Sequence, residues 1–352
     1  MIYNITSISL YALYNGYTVP YYIFCAIVNV VFSTLTHREI QARSPSTLQS
    51  YDAWLNSKRK LRLPRKIQEL EETGGRILWV GNPSKATKVV LFFHGGGFVA
   101  AALKGHFEWC WNAYIQGGRE AGVEVAVAVL QYSLLTDGQF PVALQQAAAS
   151  LGEVLDAGFA PSDIIIGGDS AGGNITMQLM SHLLHPLDGV RRFQLSEPLR
   201  AIFLVSPFLS NNLTWPSFHE NDSHDMISIK AINTLAVPLY GEERIAEHRA
   251  AVEAGDYSGA NPHETPLDAG ENFLDGLDRL VPKIYLTVGK NEVMRDQGLA
   301  LIDQLKKRGT KSEIKVEIGD REAHDFILVE NIFRRPGDAT QRMKNWFKSV
   351  VV

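Results

Sequence analysis

Little in this chain of 352 residues suits a nucleic acid, a disulfide scaffold or a fibrous array. Lys and Arg number 34 against 38 Asp and Glu, a formal net charge of −4, and no basic stripe is present to collect phosphates. Lys58-Arg59-Lys60, Arg62 and Arg65-Lys66 make the one dense basic run. It reads as a solvated loop or helix face, with a lipid headgroup site as the alternative. Cysteine is scarce: Cys25 and Cys110 are too few for a disulfide framework and lack zinc-ligand spacing, so both read as packing thiols. No internal repeat and no low-complexity tract occur. What the chain has is apolar residues, 45% of the total, enough for one large α/β domain or a domain with a cap.

Charge is also missing locally, since no Asp, Glu, Lys or Arg precedes Arg38. From Val19 to Thr36 the run is mostly apolar and long enough to span a bilayer. A charged leader and a small-x-small cleavage site are lacking, which argues against a cleaved signal. Pro20 interrupts the run, and Asn29, Ser33 and Thr36 fall on one helical face. Two expectations stand side by side. The segment anchors or attaches the protein to a membrane, placing it inside the cell, for instance at the endoplasmic reticulum, with the rest of the chain on the cytoplasmic side. Alternatively, it is an apolar helix lying over a lipophilic pocket.

Residues 1–70 are thus expected to form an N-terminal cap or anchor, helical and polar after residue 37 with breaks at Pro45 and Pro64. Residues 71–352 are expected to form the catalytic domain. Arg76–Val80 reads as a short edge strand, and Lys88–Phe93 is a near-continuous apolar run, as a strand buried on both faces should be. Helix and strand then alternate: helix 107–121, strand 124–130, helix 140–157, strand 163–167, helix 174–185 and strand 200–205. After a polar stretch at 208–270 come strand 283–288, helix 296–308, strand 313–318 and helix 338–350. That rhythm predicts an α/β fold with a mostly parallel, doubly wound sheet. The 208–270 stretch, with Trp215, Tyr240 and Tyr257 as aromatic anchors, reads as a cap insertion.

Ligands of such sheets bind beyond the carboxyl ends of the strands, and four chemically loaded stretches fall there. Gly168-Asp169-Ser170-Ala171-Gly172 fits G-x-S-x-G on a strand–turn–helix, a nucleophile elbow. So tight a turn leaves no room for a Cβ at Gly168 or Gly172. His94-Gly95-Gly96-Gly97 follows a buried strand and can offer the N–H groups of Gly96 and Gly97 to an oxyanion, with Ala171 as a third donor. His94 itself is expected to orient that loop. A serine hydroxyl needs a base, and of ten histidines His324 alone sits just past a late strand. For the acid that would orient the imidazole, Glu292 on the loop after strand 283–288 is the leading candidate. Asp296 is the second, though it also reads as a helix N-cap.

Together His94-Gly-Gly-Gly-Phe98, Gly168-Asp-Ser-Ala-Gly-Gly-Asn174, Glu292-Val-Met-Arg-Asp296 and His324-Asp-Phe326 resemble an α/β-hydrolase of the hormone-sensitive-lipase-like branch. The likeness covers residues 76–350. It implies an α/β-hydrolase fold with a helical cap, Ser170 as nucleophile, His324 as base, Glu292 as acid, and Gly96, Gly97 and Ala171 as oxyanion donors. Two features depart from that pattern. The acid is Glu where the family has Asp, and the family's Tyr-Arg-Leu-Ala-Pro-Glu segment is here Tyr132-Ser133-Leu134-Leu135-Thr136-Asp137. The apolar N-terminus is similar to that of arylacetamide deacetylases and steryl acetyl hydrolases. The implied activity is that of a serine carboxylesterase acting on a lipophilic small-molecule ester, such as an acetylated sterol, terpenoid or polyketide, with no metal or cofactor. Non-hydrolytic tailoring in a biosynthetic pathway, by acyl transfer or acid/base cyclisation, is the alternative on the same triad. An amidase or peptidase, and an inactive small-ligand receptor on the same core, complete the alternatives.

Overall fold

The computed structural model describes residues 2–254, 256, 261–270, 272–333 and 336–352. Its centre is a sheet of β1 (Ile67–Leu70), β2 (Gly75–Gly81), β3 (Lys88–Phe93), β4 (Val125–Gln131), β5 (Ile164–Asp169), β6 (Ala201–Val205), β7 (Lys283–Gly289) and β8 (Glu313–Gly319). The spatial order is β1-β2-β4-β3-β5-β6-β7-β8. β2 runs antiparallel to both its neighbours, and every other pairing is parallel. After β3 the chain steps to one side for β4 and to the other for β5, so the winding reverses at β3, where such sheets open a crevice.

The central strands read as apolar runs because both faces are covered. Val89, Leu91 and Phe93 point to one core, shared with Ile166, Leu179 and Leu301. Val90 and Phe92 point to the other, shared with Ile165 and Trp109. The first face carries the helices Val142–Asp156, Ala171–Leu184 and Arg295–Lys307; the second carries the Lys104–Glu120 helical stretch and Asp338–Val351. Each buried Leu, Ile, Val or Phe side chain is worth about 1.5–3 kcal/mol in transfer from water, so this two-sided core holds the crevice rigid.

One expected strand position is corrected. β2 does not lie at the edge, because β1 pairs outside it with Ile67 opposite Leu78. β1 falls in the stretch expected to be helical, and only Leu70 of its four residues is buried, so it carries no alternation to announce it.

The N-terminal segment forms α1 (Ile2–Tyr14), α2 (Val19–Thr34), α3 (His37–Arg43) and α4 (Thr47–Ser57); on the sheet lie α5 (Lys104–Trp109), α6 (Gln116–Glu120), α7 (Val142–Asp156) and α8 (Ala171–Leu184). Pro20 sits in the first turn of α2, where its missing N–H costs nothing. Among the described residues no helix is long and apolar enough to cross a membrane. The polar stripe expected on α2 is spent inside the protein: Asn29 Nδ2 donates to the carbonyl of Asp225 at 3.0 Å, and Ser33 Oγ meets Ser228 Oγ at 3.2 Å. Thr36 lies beyond the helix and caps α3. The partners at 225–228 belong to the 208–270 stretch, which contributes α9 (Pro216–Asn221), α10 (Ile229–Tyr240) and α11 (Glu242–Glu253). Trp215 there packs with Leu213, Phe218 and Val293, Tyr240 ends α10, and Tyr257 lies outside the described residues. Both cysteines are free and buried.

Candidate active site

All four motif stretches follow parallel strands at their carboxyl ends: 94–97 after β3, 168–172 at the end of β5, 289–296 after β7 and 319–324 after β8. Ser170 sits at φ 51°, ψ −114° between β5 and the helix Ala171–Leu184, a conformation costing about 1–3 kcal/mol that persists only where the surroundings enforce it. They do: a Cβ on Gly168 or on Gly172 would run into the carbonyl oxygen of Phe93 on the neighbouring strand. Ser170 N–H donates to the carbonyl of Val205 at 2.9 Å, which ties the turn to β6.

The glycine loop is pinned from three sides. Asp169, the residue before the serine, accepts the N–H of Gly95 at 3.0 Å and lies 3.2 Å from His106 Nε2. Tyr132 donates its hydroxyl to the carbonyl of His94 at 2.8 Å, and its ring stacks on the His94 imidazole at 4.3 Å. Leu135 N–H reaches the carbonyl of Phe98 at 2.8 Å. The divergent Tyr132–Asp137 segment therefore still braces the loop, through Tyr132 and backbone instead of an arginine. His94 is fully buried and its Nδ1 lies 2.8 Å from the Gly95 carbonyl. Burial, with His106 nearby, lowers its pKa to about 4, so it is a neutral spacer in this loop.

His324 and Glu292 are both buried, at 1% and 0% exposure. Ser206, the first residue after β6, gives its hydroxyl to Glu292 Oε2 at 2.6 Å and accepts the N–H of Asp325 at 3.3 Å. One serine thus links Glu292 to the histidine loop. Among the described residues, Glu292 Oε1 and both ring nitrogens of His324 are buried with no hydrogen-bond partner; the carboxylate of Asp325 lies 3.7 Å from His324 Nε2. Desolvation lowers the His324 pKa to about 4 and, with Asp225 close by, pushes Glu292 well above the usual carboxylate range. Each group lacks what the other carries.

Asp225 had no signal in the sequence, being one acid among many in a polar insertion. Its Oδ1 accepts the N–H groups of His324 at 2.9 Å and Met226 at 2.7 Å, and its Oδ2 that of Val293 at 2.8 Å. The loops carrying His324 and Glu292 are thereby fixed to one buried carboxyl. From the N-terminal side, Tyr21 Oη accepts the N–H of Ala323 at 3.0 Å, while Tyr22 Oη accepts Asn291 Nδ2 at 2.9 Å. Ser206 also follows a parallel strand, but a lone serine there carries no pattern that marks it. Asp296 is not the helix N-cap that the sequence suggested. Met294 is the helix N-cap, and the Asp296 carboxylate accepts Ser217 N–H at 2.8 Å and pairs with Arg295 at 2.9 Å.

A cavity of about 560 Å³ opens over this floor. Ser170, Ala171, Gly96, Gly97 and His324 line it, whereas Glu292 sits behind the wall. Its roof is apolar: Phe24, Val28, Val31 and Phe32 from α2, Ile232 and Leu235 from α10. A hydroxyl on a helix N-terminus, a buried imidazole and glycine N–H groups around a pocket with an apolar roof form an arrangement suited to acyl chemistry.

Similarity to known proteins agrees with this geometry. Lipase 2 of a Moraxella species is 25% identical over 74% of this chain, and the match spans 60% of that lipase, so the chain covers about three fifths of its length. A carboxylesterase of Mycobacterium tuberculosis is 25% identical over 76% of this chain and 75% of its own. The crystal structure of an esterase from the bacterial hormone-sensitive lipase family superposes with a TM-score of 0.60 at 22% identity, covering 93% of this chain and 98% of that one. The profile of the alpha/beta hydrolase fold matches residues 90–328, well over half of the sequence, and the chain belongs to the α/β-hydrolase family.

Proposed function

We propose that this chain is a serine carboxylic ester hydrolase in which Ser170 is the nucleophile, His324 the base, Glu292 the acid, and Gly96, Gly97 and Ala171 the oxyanion donors. One observation carries the reading: Ser170, on its enforced turn, and His324 line the same cavity under an apolar roof. The orphaned atoms support it too. A buried imidazole at depressed pKa and a buried carboxyl at raised pKa relieve each other when they pair. Catalytic hydrogen bonds that are long or unformed in a free enzyme commonly close once substrate is bound.

In this mechanism Ser170 Oγ gives its proton to His324 and attacks the ester carbonyl. Negative charge gathers on the carbonyl oxygen, where donors already aimed at it are worth about 3 kcal/mol each. The N-terminus of the helix behind Ser170 adds a positive dipole end. The oxyanion collapses, His324 protonates the departing alcohol, and water, activated by the same histidine, clears the acyl-serine. Ser170→Ala should abolish hydrolysis of p-nitrophenyl acetate by several orders of magnitude with an unchanged circular dichroism spectrum. Retained turnover refutes the nucleophile.

The substrate we propose is an ester of a lipophilic alcohol with a short acyl group. The apolar roof built by α2 and α10 supports the lipophilic part. Hydrolysis profiled from acetyl to octanoyl esters of small and steroid-sized alcohols checks both halves. A preference for small, polar alcohols would remove the lipophilic assignment while leaving the hydrolase intact.

A further inference from the structure

The loops that carry Glu292 and His324 meet at Glu322, and the meeting leaves no slack. The backbone carbonyl of Glu322 accepts the N–H of Asn291, the residue before Glu292, at 2.9 Å, and Lys290 N–H reaches the carbonyl of Gly319 at 2.9 Å. A Cβ on Gly289 would collide with that Glu322 carbonyl oxygen, and one on Gly319 with the Glu322 carboxylate. The Glu322 side chain is thus folded back over its own loop. An arginine from outside both loops grips it there. Arg342 Nη2 donates to Glu322 Oε1 at 2.7 Å and Oε2 at 2.6 Å, and Arg342 Nε lies 3.4 Å from Glu317 Oε2 on β8. Glu317 also accepts the hydroxyl of Tyr285 on β7. Arg342 stands on a fixed post, the last helix, Asp338–Val351. One turn further on, Trp346 stacks on the Tyr285 ring at 4.7 Å, and Met343 and Phe347 are buried in the second core.

Only 17% of the Glu322 side chain is exposed, so the pair sits largely out of water, where removal of one partner is felt most. Burial raises the Glu322 pKa, and hydrogen bonding to Arg342 opposes that rise. Tyr21 and Asp225 hold the histidine loop from the cap side, whereas Arg342 holds it from the helix packed on the sheet. We infer that Arg342 is a positioning residue: through Glu322 it fixes the His324 loop against the Glu292 loop and sets the register in which imidazole and carboxyl meet. This role presupposes the hydrolase reading with Glu292 as acid. Without the guanidinium the Glu322 carboxylate is drawn out to water, and its peptide, which carries the Asn291 bond, is free to follow. A catalytic group misplaced by about 1 Å can cost about 10²-fold in rate. The cavity roof and the glycine loop make no contact with this pair, so substrate binding is spared and the loss falls on kcat.

The test is a kinetic cycle on the full-length chain with p-nitrophenyl acetate. Arg342→Met, which keeps the stem and removes the charge, should lower kcat by about tenfold to a hundredfold with KM within about twofold. Arg342→Lys, whose ammonium still reaches Glu322 as a point charge, should recover most of that loss. In a Glu292→Gln background Arg342→Met should cost less than about twofold, because no acid–base register is left to keep. A merely structural role would lower activity equally in both backgrounds. That result overturns the assignment, as does an unchanged kcat, or a change in KM alone, in Arg342→Met. Should circular dichroism show that Arg342→Met does not fold, Glu322→Gln carries the same cycle, since its amide keeps the packing over Gly319 and loses the charge. Loss of the hydrolase reading has a different signature: turnover survives Ser170→Ala, or Glu292→Gln alone costs little.

Discussion

Ser206 takes one oxygen of Glu292 and leaves the other buried and, among the described residues, unpaired, and that asymmetry defines what the two acidic candidates can do. Glu292 has one oxygen anchored and one in reserve for an imidazolium. Asp296 has both oxygens engaged, on Ser217 and Arg295, and does not line the cavity. Glu292→Gln should therefore lower kcat by about 10³–10⁴-fold, as loss of a tautomer-fixing carboxylate does elsewhere. Asp296→Asn should stay within about threefold, since it disturbs only a partly exposed contact. Steady-state kinetics on p-nitrophenyl acetate separates them, and the opposite order would reassign the acid. At this scale much was legible. The elbow announces itself because backbone crowding at Phe93 admits only glycine at 168 and 172, and steric necessity leaves a fixed pattern. Asp225 and Ser206 were not legible, because their work is to hold backbone N–H groups and a carboxylate in place, which any well-placed polar residue can do and no spacing advertises.

Among the elements, α2 does two jobs with two faces. Phe24, Val28, Val31 and Phe32 roof the cavity, while Tyr22, Cys25, Ala26, Asn29 and Ser33 are buried against the protein. Through Tyr21 and Tyr22 the second face reaches the loops of His324 and Glu292. Substitutions on the two faces should separate kinetically. Tyr22→Phe strands Asn291 Nδ2, a loss of about 1–3 kcal/mol in local order, and should lower kcat several-fold with little change in KM. Phe32→Ala widens the roof and should raise KM for bulky esters while sparing acetate esters of small alcohols. If both variants moved KM alone, α2 would be a lid and nothing more. Its apolar length was plain in the sequence, but an apolar helix over a pocket and one in a lipid bilayer present the same residues. Only the destination of Asn29 and Ser33 tells them apart. The central strands were legible to within a residue or two because both faces are buried, whereas β1, with one buried residue in four, had nothing to show.

Taken as a whole, the molecule buries carboxyls and histidines around its crevice in environments that favour their neutral forms, and that sets how its stability responds to pH. Asp225 is raised by desolvation to about 7, and Glu292 and Asp325 are pushed well above the usual range by burial and by their neighbouring carboxyls. His94, His224 and His324 are lowered by burial to about 4. A raised carboxyl keeps its proton in the native state after the unfolded chain has lost it. Its contribution is whole below about pH 4 and is lost as pH rises through the folded value. A lowered histidine does the reverse, since the unfolded chain alone binds the proton between about 4 and 6.5, and stability gains until that window closes. Below pH 6.5 the two sets oppose each other. The unfolded imidazoles are half protonated at about pH 6.5 and largely neutral only by about pH 7.5; beyond that the carboxyls dominate, so stability should fall from about pH 7.5 to 8.5. Each carboxyl still protonated in the native state contributes about 1.4 kcal/mol per pH unit to that slope. Urea midpoints measured at half-unit steps should decline over this range, and Asp225→Asn, which removes the group titrating nearest neutrality, should flatten the decline. A midpoint that rises from about pH 7.5 to 8.5 would mean that the crevice carboxyls are ionised when folded, with Asp225 held by its three backbone donors as a true anion between the two loops.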